Sequence, residues 1–145
     1  MTPPVPWFVH ATNASLLVCL GLSLEVVFTA VLDHPKSGDW KLKGYTYVWM
    51  IPIYALIYPG LCLLYPHLAS QGFLLRGVSY AALIYFFEYL SGWLLRRLTG
   101  ECPWESEYRG KKWAVHDLIR LDFFPAWFGA SLLYELVFRV LRGRF

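Results

Sequence analysis

The sequence predicts an all-α integral membrane protein, a compact four-transmembrane-helix bundle with signs of two similar helical hairpins. Three observations predict it. Hydrophobic residues make up 57% of the 145-residue chain and charged residues 16%, against about 45–50% and 25% in soluble domains. The apolar residues lie in long blocks instead of amphipathic stripes. Four of these blocks reach the ~20 residues that a helix needs to cross a bilayer core. A chain of this length holds one domain, 1–145.

The first span, 8–32, reads "FVHATNASLLVCLGLSLEVVFTAVL" and carries one charge, Glu25. The preceding "MTPPVPW" has no basic residue and the apolar run is too long for a cleaved signal peptide, so this helix is expected in the mature protein. Asn13-Ala14-Ser15 lies inside it and is not expected to be glycosylated. The second span, 47–65, is uncharged, and Pro52 and Pro59 are expected to kink it. The third, 73–95, carries Arg76 near its start and Glu88 inside; the fourth, 121–141, holds Asp122, Glu135 and Arg139. Cys19 and Cys62 fall in spans and Cys102 in a link, with no spacing that signals a disulfide frame or a zinc site.

Four spans put both termini on one side and the links 33–46 and 96–120 on the other. The link side carries Lys36, Lys41, Lys43, Arg96, Arg97, Arg109, Lys111, Lys112 and Arg120; the termini side carries Arg76, Arg139, Arg142 and Arg144. That bias favours cytoplasmic links and outward termini, although the arginine-rich tail pulls the other way. The halves also resemble each other. Glu25 and Glu88 each precede a polar link with a tryptophan, Trp40 and Trp104, at gaps of 15 and 16 residues, and a proline-containing span follows. Internal repeats of this kind are common in transporters.

Glu25 and Glu88 each stand seven residues before the end of their spans, a depth of about 10 Å beneath the link side. Asp122 starts the fourth span from that side, and Glu135 falls in the other half. An intramembrane acid costs about 2.5–3.5 kcal/mol on insertion scales and turns toward the bundle interior or a wet cavity. Gly21, Glu25 and Thr29 form one i, i+4 stripe and Glu88 and Gly92 another; Ala126 and Ala130 form a small-residue pair on the fourth span. Glu25 and Glu88 are either protonated donors or ionised partners of Arg76, Arg120 or a ligand, and Arg120, on the link side, fits better than Arg76.

Bland readings stand beside these. Glu135 and Arg139, one turn apart, are expected to form a structural ion pair. Asp122 suits the first turn of a helix through the dipole. Glu25 and Glu88 also fit a purely structural interhelix hydrogen bond. Trp7, Trp40, Tyr45, Tyr65, Trp104 and Trp113 fall at predicted membrane interfaces. The histidines, 10, 34, 67 and 116, are far apart and build no metal motif; no metal, cofactor or catalytic residue is assigned, and no glycine loop for nucleotide phosphates is present.

"EVVFTA" at 25–30, "WKLKGYTYVWMIPIY" at 40–54, "YFFEYLSGWLLRR" at 85–97, "CPWE" at 102–105 and "LDFFPAWFGASLLYE" at 121–135 resemble the transmembrane protein 229 family. Bacterial relatives of that family carry an ABC-transporter type IV label. The resemblance covers nearly the whole chain and implies a small four-span protein, with acids at the positions of Glu25 and Glu88 and a tryptophan at 104. It brings no established activity. Where the family loop reads Trp-Asp-Tyr, this chain has Trp104-Glu105-Ser106 and its aromatic at Tyr108, so no role carries over to 105 and 106.

Three functions follow as expectations. The first is a site of Glu25, Glu88 and Asp122 with Arg120, roofed by Trp40 and Trp104, that binds or passes a small cation, a proton or a lipid-like amphiphile. The second is an accessory or assembly subunit of a larger membrane complex or homo-oligomer. The third is a lipid-modifying enzyme using Tyr85, Glu88, Tyr89 and His116, the least favoured because carboxylates alone define no reaction. A bacterial chain of this kind is expected in the plasma (inner) membrane, with the lipid bilayer as its partner and no nucleic acid.

Overall fold

A computed structural model of the chain describes residues 6–143. Arg144 and most of the basic-free start lie outside the described residues. The chain is an all-α, multi-pass integral membrane protein, with four helices long and apolar enough to cross a bilayer: Trp7–Ser37, Met50–Leu68, Phe73–Thr99 and Leu121–Arg142.

Helix α1, Trp7–Ser37, runs through Pro35 into polar sequence beyond the expected end at 32. It stops at Gly38, whose φ of 62° is the left-handed turn that glycine adopts without strain, and the Gly38 N–H closes on the His34 carbonyl at 2.8 Å. The second span is broken, not merely kinked, into α2, Met50–Ala55, and α3, Ile57–Leu68. Pro59 has no N–H for the Ala55 carbonyl, so the ladder parts there.

Helix α4, Phe73–Thr99, ends at Gly100 with φ 86°. The link that follows is not shapeless. It holds a one-turn helix α5, Glu105–Tyr108, and a two-stranded antiparallel hairpin, β1 (Ala114–Val115) with β2 (Ile119–Arg120), in register Ala114↔Arg120 and Val115↔Ile119. His116 and Asp117 turn the hairpin at φ 53° and 58°. Strands of two residues carry no hydrophobic period and so leave no mark in the sequence pattern. A 3-10 turn, Leu121–Phe123, then leads into α6, Phe124–Arg142, with Pro125 in its first turn, where the missing N–H costs nothing.

The chain divides into two units, Met1–Leu63 with Phe138–Phe145, and Leu64–Val137. In the first, α1 turns Val9, Asn13, Leu17 and Gly21 inward at intervals of one turn. In the second, α6 turns inward through Ser131, Tyr134 and Glu135, while Ala126 and Ala130 are half-buried. Gly77 of α4 lies under the Phe128 ring so closely that a Cβ there would stand 2.3 Å from it.

Candidate functional site

The inward stripe of α1 continues at Glu25, which is half-buried. What meets it is the chain returning to α2. The Gly44 backbone presses on α1 so tightly that a Cβ would stand 1.9 Å from the Val26 carbonyl oxygen. One residue on, Tyr45 is clamped to Thr29, whose Oγ1 donates to the Tyr45 carbonyl and accepts its N–H, both at 2.9 Å. Thr46 is thereby aimed at Glu25: its Oγ1 donates to Oε2 at 2.7 Å, and the Tyr54 hydroxyl of α2 donates to the same oxygen at 3.0 Å. Among the described residues no basic group pairs with Glu25. Trp40 does not roof this site; it is 82% exposed and its ring rests on His34, centroids 4.5 Å apart.

In the second unit the acid is Glu88 of α4. The Tyr108 hydroxyl of α5 donates to its Oε1 at 2.7 Å. Tyr108 packs edge-on against Phe123, and the Arg120 guanidinium lies over the Phe123 ring at 4.0 Å. Arg120 is not the partner of Glu88. Its Nε donates to Asp122 Oδ1 at 3.1 Å and its Nη2 to Oδ2, a fork closed locally because β2 runs straight into the turn that carries Asp122. One turn before Glu88, the Tyr85 hydroxyl lies 3.1 Å from the carbonyls of both Arg120 and Leu121. Glu88, Arg120 and Asp122 are therefore gathered around Tyr108 and Tyr85.

Residues of both links reach the acids directly. Helices α1 and α4 have 31 and 27 residues, about 46 and 40 Å, against a hydrocarbon core of about 30 Å. The links fold back along these helices, as at Gly44–Val26 and Tyr45–Thr29 on α1 and at Tyr108–Glu88 on α4. Thr46, beside Glu25, is four residues ahead of α2, and Arg120, in the Glu88 group, directly precedes the fourth span. Each acid stands where the returning chain begins its next apolar helix.

Trp104 is not an interfacial anchor but the core of its link, 6% exposed, with its Nε1–H donated to the Leu118 carbonyl at 2.9 Å. Gly92 makes room for it. A Cβ there would stand 3.0–3.2 Å from Leu118, Trp104 and Cys102, so the Glu88–Gly92 stripe receives the link. Glu105 organises this cap. It accepts from Arg96 Nε at 2.9 Å and Arg109 Nη2 at 3.0 Å. The Arg109 hydrogen bond is the largest of the effects that hold its carboxyl below the usual range. Arg96 also donates to the His116 carbonyl at 2.8 Å, and Tyr89 meets His116 Nδ1 at 2.9 Å. An acid with a cation at four and at nine residues' distance was the available signal.

Cys102 is fully buried in the same cap, and burial pushes its thiol up to about 11. With the raised value, the thiolate is scarce at neutral pH and appears only as pH rises toward 11. A variant retaining Cys102 alone is expected to resist maleimide at neutral pH when folded and to react fully once denatured. Rapid labelling of the folded protein would show that the link does not pack on Gly92.

The expected Glu135–Arg139 pair is not formed. Glu135 is 3% exposed and bonds Arg76 Nε at 2.9 Å, while Arg76 Nη1 reaches the Gln71 carbonyl at 2.8 Å. Glu135 points inward on α6 toward α4, whereas Arg139 is exposed. A cation already at the start of α4 neutralises it better than one directed outward. Among the described residues no three His, Cys, Asp or Glu side chains gather closely enough to hold a metal ion.

The fold thus defines an integral multi-pass membrane protein of the all-α class. No protein-family model and no solved structure matches the chain.

Proposed function

We propose that this protein binds and passes a proton or small monovalent cation, with Glu25 as the principal intramembrane carboxyl and Glu88 as its counterpart in the other unit. The carrying observation is a contrast in partners. Glu135, Glu105 and Asp122 each meet an arginine, whereas Glu25 Oε2 meets two neutral hydroxyls, Thr46 and Tyr54. A carboxylate in a low-dielectric setting needs a positive partner, and hydroxyl donors supply none of the missing charge. A proton on the carboxyl satisfies that need. So does a cation, for which one carboxylate and two hydroxyl oxygens are hard ligands of the right kind. The resemblance to a family bearing a transporter label agrees with this reading, and a bacterial copy would act in the inner membrane.

The test is cation flux into proteoliposomes, followed with a pH-sensitive dye and with radioactive sodium. Glu25→Gln is expected to lower the flux about tenfold or more, the worth of a contact to a charged group. Thr46→Val and Tyr54→Phe should each lower it less. Flux that is absent from the intact protein, or unchanged in Glu25→Gln and Glu88→Gln, rejects the proposal.

A further inference from the structure

The link after α4 carries a feature that the carboxyl sites do not use. Lys111, Lys112 and Trp113 follow the left-handed residue Gly110, φ 73°. Two successive turns fix them: the Lys111 N–H bonds the Tyr108 carbonyl at 3.0 Å, and the Ala114 N–H bonds the Lys111 carbonyl at 3.1 Å. The Trp113 carbonyl accepts the N–H of Leu121 at 3.0 Å, which ties the triad to the first residue of the fourth apolar helix. Trp113 is nonetheless 54% exposed, and the Lys112 ammonium lies 5.6 Å from its ring centroid. An indole held where an apolar helix begins, with a cation above its face, matches the boundary between acyl chains and headgroups.

Two of the acids in this link are already paired with arginines. Asp122 is taken by Arg120, and Glu105 by Arg96 and Arg109. Among the described residues neither Lys111 nor Lys112 forms an ion pair. Lys111 adds a longer-range attraction to Asp122, and both ammonium groups stay exposed, on a backbone held by two turns, beside an exposed indole.

We infer that Lys111, Lys112 and Trp113 form a docking site for the phosphate of an anionic phospholipid, with Trp113 against the upper acyl chain. The lysines draw the phosphate as point charges, and the turns at Gly110 and Leu121 remove the ordering cost that a flexible loop would carry. The site is independent of any ion passing Glu25.

Lipid retained by the purified full chain from mixed phosphatidylglycerol and phosphatidylcholine vesicles, weighed by native mass spectrometry, tests this. The intact protein should retain phosphatidylglycerol above its bulk share. Lys111→Gln with Lys112→Gln should reduce that enrichment roughly fivefold per cation removed. Lys36→Gln with Lys41→Gln removes equal charge from the end of α1 and the link that follows it, and should leave the enrichment in place. Lys111→Arg with Lys112→Arg keeps the charge and should keep it too, which separates loss of the site from loss of the fold. Absence of enrichment in the intact protein, equal loss in both glutamine pairs, or loss in the arginine pair overturns the inference. Displacement of the lipid by inorganic phosphate would identify a free-phosphate site and overturn the lipid assignment.

Discussion

Arg76→Ala is expected to destabilise the protein by about 3–5 kcal/mol, because it leaves the inward-facing carboxylate of Glu135 without its cation. Glu135 is 3% exposed and its Oε2 receives Arg76 Nε at 2.9 Å. The same substitution removes the donor to the Gln71 carbonyl at 2.8 Å, which closes the approach to α4. The penalty belongs to the stranded charge more than to the pair itself. The double substitution Arg76→Met with Glu135→Leu should therefore recover most of the loss, since an ion pair removed whole from a dry setting costs little. Unfolding in detergent by denaturant titration measures both. A loss below about 1 kcal/mol for the single variant would mean that the pair behaves like an exposed surface bridge.

Gly44→Ala is the second large effect. A methyl at that position stands 1.9 Å from the carbonyl oxygen of Val26, a backbone atom that cannot swing aside. The segment must lift from α1, and with it go the Thr29–Tyr45 clamp and the aim of Thr46 at Glu25. Overpacking of this kind costs about 1–3 kcal/mol, occasionally more, and a backbone contact belongs at the upper end. Gly60→Ala is the matched control, because nothing lies within 4 Å of a Cβ there and alanine favours the helix by about 0.5–1 kcal/mol. Thermal unfolding in detergent should fall for Gly44→Ala and hold or rise for Gly60→Ala. Equal behaviour would show that the return to α2 is not seated on α1.

The spans were legible because the bilayer demands long apolar runs, and length and composition report those directly. The Gly21–Glu25 stripe was legible for a local reason, since residues four apart share a helix face and a small residue beside a polar one marks a contact. The extension of α1 to Ser37 was not, because polar residues such as Asp33 and Lys36 continue a helix without any hydropathy signal. The partner of Glu135 was misread for the same kind of reason. The i, i+4 rule sees Arg139, whereas Arg76 lies 59 residues away in sequence and is reached only through the packing of α6 on α4. Trp104 and Trp40, equivalent by spacing, part company because Gly92 admits an indole beside α4 while the exposed Trp40 rests tilted against the half-buried His34. Tyr108 reaches Glu88 from 20 residues away because α5 turns it toward α4.

The proposed function stands or falls on whether Glu25 takes up the positive charge that its two hydroxyl partners do not bring. Infrared difference spectroscopy of the protein in lipid, recorded with and without sodium and on either side of neutral pH, reads the carboxyl and carboxylate stretches directly. The expected result is a difference band that Glu25→Gln removes, that Tyr54→Phe shifts, and that Glu101→Gln in the link leaves untouched. A difference spectrum indifferent to both Glu25→Gln and Glu88→Gln would contradict it, and would leave these carboxyls as hydrogen-bonded fasteners between the helices and their links.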